Sequence, residues 1–256
     1  MLEAQKVASD AADLKTYKSH WVDAPYVSYQ YNGQSFVGDA FWKKSEEIFA
    51  SRKPANIITN RTDWNFTIKG AAAFVTFTQK AENVDKKTTS ETYEERYVEK
   101  VNGEWKMVNM TTIAKANPIK KDEEEAAIKA VIEKETQSWI DKDAEKRITC
   151  YANVPQAHSL IYHGRMNVNN GIAYSLNDKT DMPERIKATA ASAPALSGFK
   201  NDKYLIRING SSAMVHFTQI LSHASGEQQN MYNERYLEKI NGEWKIVYIG
   251  GVSYKP

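Results

Sequence analysis

Along this chain the spacing of apolar residues moves between a period of two and a period near 3.6, and it does so in two rounds. Residues 93–108 read YEERYVEKVNGEWKMV and residues 232–247 read YNERYLEKINGEWKIV, identical at twelve of sixteen positions and 139 residues apart. An internal repeat of this length makes the chain two copies of one design. In each copy an Asn-Gly pair (Asn102-Gly103, Asn241-Gly242) parts two runs rich in Tyr, Val, Ile and Trp. Asn and Gly accept the positive φ that a two-residue turn demands, so each copy is predicted to be a β-hairpin. Such a turn sets Lys100 opposite Trp105, Val98 opposite Met107, Tyr97 opposite Val108 and Arg96 opposite Asn109. One face then holds Trp105, Met107, Val98, Arg96 and Asn109, and the other holds Tyr97, Val108 and Met110. In the second copy Arg235 joins Tyr248 on the Trp244 face, with Tyr236, Val247 and Ile249 on the reverse. Apolar residues on both faces predict a sheet covered on both sides.

Between the hairpins the period changes. A linker, residues 115–121 with Pro118, precedes Asp122, which reads as a helix cap with acidic residues after it. Ile128, Val131, Ile132 and Trp139 then recur at helical spacing, predicting a helix to about residue 140. A second helix is expected over 143–151, ending before Pro155. Short extended stretches follow at 26–31 and 156–162. Next come a helix over 39–50, capped by Asp39, and its counterpart over 184–191 behind an inserted loop, 177–183. Strands at 63–69 and 72–80, and at 203–209 and 213–221, lead into the hairpins. The early elements of the copies lie 130 residues apart and the strands 140 apart. By the first spacing Met1 corresponds to Val131, so the first copy opens inside its first helix. Either residues ahead of Met1 were removed, with a leader that would direct the protein to the periplasm or out of the cell, or that helix is naturally short.

Composition narrows the classes. With 34 basic and 32 acidic residues in 256, the net charge of +2 gives no field for nucleic acid or an anionic membrane. The single cysteine, Cys150, excludes an intramolecular disulfide framework and a cysteine-based zinc site. The pairs His158/His163 and His216/His223 are separated by odd numbers, which on regular strands puts the members on opposite faces, so no metal site is expected. No apolar run has the length of a membrane span. No P-loop, dinucleotide glycine pattern or serine-hydrolase elbow is present, and no cofactor is expected.

The order of elements, the aspartate-containing turn Lys142-Asp143-Ala144 and the closing NGEWKIVY strand resemble the nuclear transport factor 2-like superfamily, within it the SnoaL-like group. The resemblance covers nearly the whole chain, once per copy, as residues 1–116 and 122–256. It implies an α+β fold of two cone-shaped domains, each a curved antiparallel sheet wrapped around helices with a pocket between them. It also implies an intrachain pseudo-dimer through the face carrying Tyr97, Val108 and Met110 in one copy and Tyr236, Val247 and Ile249 in the other, hence a monomer in solution. The ketosteroid isomerase branch uses a carboxylate on the strand after the helix pair. Here the matching segments contain no Asp or Glu; Tyr29 stands near that position in the first copy, Ser159 or Leu160 in the second. Dehydratase-like relatives use histidines and tyrosines, which leaves His158 with Tyr162 as an enzymatic alternative.

The leading expectation is a small-molecule binding protein without catalysis, taking an apolar or aromatic ligand, either neutral or anionic. Its first pocket would be lined by Tyr17, Tyr29, Trp42, Trp64, Arg96 and Asn109, and its second by Trp139, His158, Tyr162, Tyr204, Arg235 and Tyr248. Other readings are a dehydratase, cyclase or isomerase, and a structural module whose pockets are filled by its own side chains.

Overall fold

The computed structural model describes residues 1–31, 33–115, 121–154, 156–163, 172–176, 182–191 and 195–254. It divides into two compact units, Met1–Lys115 and Ala116–Pro256. The expected inserted loop at 177–183 falls almost wholly outside the described residues. Among those residues no helix is long and apolar enough to cross a membrane.

In unit 1, helices α1 (Leu2–Asp10) and α2 (Leu14–Ser19) precede a short hairpin, β1 (Ser28–Tyr31) and β2 (Gln34–Val37). Helix α3 (Asp39–Ser51) follows, then β3 (Ile57–Lys69), β4 (Ala72–Asn83), β5 (Thr88–Val101) and β6 (Glu104–Ala114). The curved sheet has the order β2-β1-β6-β5-β4-β3. Its long meander is antiparallel as expected, and β1 joins β6 in parallel at the edge. α2 starts where Asp13 accepts a bond from the Thr16 backbone N–H, and the matching helix of unit 2, Ala144–Ile148, starts the same way with Asp143 and Lys146. α3 is capped at Gly38 rather than at Asp39, which sits in its first turn.

Unit 2 repeats the plan: α4 (Lys121–Ile140), α5 (Ala144–Ile148), β7 (His158–His163), β8 (Ile172–Leu176), α6 (Met182–Ala190), β9 (Leu196–Asn209), β10 (Ser212–His223), β11 (Gln228–Ile240) and β12 (Glu243–Tyr254). The strand order is β8-β7-β12-β11-β10-β9. Its core joins Ile128 and Ile132 of α4 to Val215, Phe217, Leu237, Ile246 and Ile249 of the sheet.

Both hairpin turns have Asn and Gly at positive φ, 52° and 86° in one copy and 51° and 84° in the other. The predicted register holds from the turn as far as Val98 opposite Met107 and Leu237 opposite Ile246. There a bulge inserts Val108, and in the second copy Val247, so that Tyr97 meets Asn109 and Tyr236 meets Tyr248. One extra residue turns every later side chain to the other face. Arg96 is therefore opposite Met110, not Asn109, and Arg235 is opposite Ile249, not Tyr248. Met110 and Ile249 move to the helix-covered face, while Asn109 and Tyr248 leave it. The bulge falls where the outer edge of the last strand changes partner. Met107 and Ile246 are held by Trp21 and Tyr151 in single bridges, and the residues beyond the bulge pair with β1 and β7.

Candidate functional site

On the helix-covered face of unit 1 an open cavity of about 590 Å³ lies between the sheet and helices α1 and α3. Period-two positions on four strands furnish its sheet wall: Ile57, Thr59 and Arg61 on β3, Gln79 and Ala81 on β4, Thr92, Glu94 and Arg96 on β5, and Met110 and Thr112 on β6. Tyr29 and Tyr31 on β1 extend that face, since they pair with Met110 and Thr112. Tyr17 from α2 and Phe41, Ser45 and Phe49 from α3 line the opposite side.

The floor is a buried ion pair. Arg96 Nη2 donates to Glu94 Oε2 at 2.8 Å, and Nη1 donates to the Glu95 carbonyl at 2.7 Å. Glu94 also accepts from the hydroxyls of Thr112 at 2.7 Å and Thr92 at 2.5 Å. Phe77 lies under the Arg96 guanidinium, 5.3 Å from its centroid, with Arg61 at 4.8 Å and Trp64 stacked at 4.4 Å. Arg61 reaches across to Gln79 at 2.9 Å and to Glu3 at 2.8 Å. Burial, with Arg96 beside it, lowers the Arg61 pKa from its ordinary value. Burial pushes the Tyr17 phenol up to about 12 against the pull of Arg96, and raises Tyr29 as well, helped by Glu94. Both phenols stay protonated at neutral pH and can donate into the cavity. Lys6, Lys44 and Arg52 line it too, so its wall carries five cationic side chains against two carboxylates, Asp10 and Glu94.

Of the residues expected around this pocket, Tyr17, Tyr29 and Arg96 line it. Trp64 stands behind Phe77. Trp42 packs against Phe41 and Trp21 and is not part of the lining. Asn109 is on the reverse face, where its carboxamide accepts from Ser28 Oγ at 2.7 Å. Arg61, Gln79, Glu94 and Arg52 escaped the sequence reading. The alternation Ile57, Thr59, Arg61 was the available signal.

Unit 2 neutralises its arginine differently. Arg235 lies 5.3 Å from the Phe217 centroid and donates to the Glu234 carbonyl at 2.8 Å, as Arg96 does in its own copy. Asn233 replaces Glu94, and the buried carboxylate comes instead from Glu135 on α4, at the position of Gln5. Glu135 accepts from Arg147 at 2.9 Å and from Tyr151 Oη at 2.7 Å. Burial works to raise its pKa, but Arg147 and Arg235 outweigh burial and hold it below the ordinary value. Tyr204 stacks on Phe217 at 5.1 Å, and Arg147 covers Trp139 at 5.6 Å, so Trp139, Tyr204 and Arg235 do gather near this cluster. His158 does not: it pairs with Tyr248 across β7 and β12, its ring 4.8 Å from the tyrosine's, on the face opposite Arg235. Burial pushes its pKa down to about 4. Tyr162 is on β7, but its side chain lies outside the described residues.

No family model and no curated protein matches the sequence. Among solved structures the likeness is to nuclear transport factor 2-like proteins. One from Shewanella baltica, of unknown function, is 16% identical, covering 55% of this chain and 100% of its own, with a TM-score of 0.41. Another from Cytophaga hutchinsonii is 15% identical over 54% of this chain and 100% of its own, TM-score 0.40. A cystatin-like protein of unknown function from Nostoc punctiforme is 11% identical over 45% of this chain and 86% of its own, TM-score 0.39.

Proposed function

We propose that unit 1 binds a small organic anion with an apolar or aromatic body in the cavity above Arg96, without carrying out a reaction on it. The observation behind this reading is the excess of cations in the lining, five against two carboxylates, around aromatic walls. Arg96 itself is committed to Glu94 and to backbone carbonyls, so it shapes the floor and does not serve as the free anchor. Arg52, exposed at the end of α3, and Arg61, whose partner Glu3 is itself exposed and can yield to a ligand, supply the charge, and the protonated phenols of Tyr17 and Tyr29 donate hydrogen bonds to polar atoms of the ligand. Phe41 and Phe49 take its apolar body.

The test is calorimetric titration of the full chain with a panel of aromatic carboxylates and their neutral amides. Carboxylates should bind and amides should bind more weakly. Arg61→Met should cost about 1.5–3 kcal/mol of carboxylate affinity, the value of a hydrogen bond to a charged group. Equal binding of acids and amides, or an unaffected Arg61→Met variant that remains folded, would remove the anion from this reading.

A further inference from the structure

The two copies of the hairpin arginine are bonded alike on one side and unlike on the other. Arg96 Nη1 donates to the Glu95 and Thr111 carbonyls at 2.7 and 3.5 Å, and Arg235 Nη1 donates to the Glu234 and Gly250 carbonyls at 2.8 and 3.5 Å. Those carbonyls are counterparts at the 139-residue spacing of the repeat. The other edge of the guanidinium differs. In unit 1 Arg96 Nη2 holds the Glu94 carboxylate at 2.8 Å. In unit 2 the matching residue is Asn233, whose Oδ1 accepts from Nη1 at 3.2 Å, so every hydrogen bond that Arg235 makes to a described residue leaves from Nη1. Among the described residues Arg235 Nε and Asn233 Nδ2 are buried without an acceptor, in residues 4% and 1% exposed.

Charge and space point the same way. Glu135 is paired with Arg147 at 2.8 Å, so two guanidiniums, Arg147 and Arg235, face one carboxylate, and this cluster keeps one positive charge in excess. An unmatched buried charge is costly, and a bound anion removes that cost. The groups that enclose the Glu94 carboxylate in unit 1 are also gone. Thr92 and Thr112, whose hydroxyls bond it, give way to Met231 and Gly251, and Tyr29 gives way to Ser159. Gly251 pairs with Asn233 as Thr112 pairs with Glu94, so the place that these side chains fill in unit 1 is left with smaller ones beside the open guanidinium edge.

We propose that unit 2 binds a small monocarboxylate, its carboxylate forked against Nε and Nη2 of Arg235 in the place that Glu94 takes in unit 1, with Asn233 Nδ2 as a further donor. The planar edge of a guanidinium matches the two oxygens of a carboxylate and makes a stronger, more directional contact with them than with a round ion. One excess positive charge selects one negative charge. The body of the ligand lies over Gly251 towards Ser159, with Met231 and Ile249 beside it on the same face, so it is apolar. This site is separate from the cavity of unit 1, and its anchor is Arg235 instead of Arg52 and Arg61.

Asn233→Glu tests this, because it installs in unit 2 the carboxylate that unit 1 carries. The full chain would be titrated calorimetrically with acetate and benzoate as probes, benzamide as the neutral control and chloride as the round anion, all in the Arg61→Met background so that the unit 1 cavity is not read. A single equivalent of acid should bind and raise the melting temperature, with benzoate about tenfold tighter than benzamide. In Asn233→Glu the acid affinity should fall about tenfold or more, while the ligand-free protein melts higher because Arg235 has gained a partner. Four results would overturn the proposal: no saturable binding of either acid to Arg61→Met; undiminished binding in a folded Asn233→Glu chain; equal binding of benzamide; or displacement of both acids by chloride at equal concentration, which would make the site one for any small anion. The reading of unit 1 is tested separately, by the difference between wild type and Arg61→Met.

Discussion

Glu94 and Glu135 solve the same problem from different elements. A buried arginine on the hairpin strand needs a carboxylate nearby: in unit 1 it is Glu94, two residues away on the same strand, and in unit 2 it is Glu135 on helix α4, which is bonded to Arg147 and also feels the charge of Arg235. Removing one partner of a buried pair strands the other charge, so Glu94→Gln and Glu135→Gln should each cost about 3–5 kcal/mol in urea unfolding. Glu94 was legible as part of the repeated strand, but not as the partner of Arg96. That role depended on a neighbour that differs between copies at an otherwise repeated position, Glu94 against Asn233. His158 shows the same limit, because period-two logic gives its strand and not the face that ends up covered. Its burial has a pH signature. Below pH 6.5 the unfolded chain protonates this imidazole while the folded chain refuses the proton until about pH 4, so its contribution falls as pH drops through that window. Glu99, raised by burial to about 7, works in the opposite direction, favouring the fold as pH falls from about 7 towards 4.5. The comparison of wild type with His158→Gln isolates the histidine: between pH 7 and pH 5 the variant should lose about 2 kcal/mol less stability than wild type.

Among the elements, the hairpins illustrate how far a local rule reaches. Asn-Gly sets the turn and the first four pairs, and then Val108 and Val247 bulge out and every side chain beyond them changes face. The cause is not in the hairpin. It goes with the partner change at the outer edge, where β1 and β7 come in from distant sequence. Strands β3 and β9 are longer than their apolar patterns suggested for a similar reason: Asp63 and Lys203 take positive φ, 56° and 54°, interrupting the alternation that would have carried the reading through 57–62 and 196–202. Gly38, at the start of α3, has φ +56°, and a Cβ there would lie 2.6 Å from the Pro25 carbonyl oxygen. Gly38→Ala should therefore destabilise unit 1 by about 1–3 kcal/mol, through both the strained backbone and the contact. Thermal unfolding with circular dichroism would detect the loss.

At the scale of the whole molecule, the repeat makes unit 2 an internal reference for unit 1. The second unit has a first helix of 20 residues and a buried cluster from Ile128 to Ile249, while in the first Trp64, Phe66 and Ile68 are exposed. Calorimetry of the full chain should show two transitions, with unit 1 melting first and only the lower transition moving in Glu94→Gln. The cone-like α+β plan came from a family resemblance; what the sequence determined unaided was whatever its own pattern carries: the repeat, the alternation of helical and strand periods and the positive-φ turns. These rest on backbone sterics and on periodicity, which a short window contains. What only the tertiary structure decided was the face each strand residue shows after a bulge, the parallel edge pairing, the carboxylate that each buried arginine receives and the cavity that results. Those depend on contacts between residues far apart in sequence, where one inserted residue reverses a face and one substituted residue moves a charge to another element.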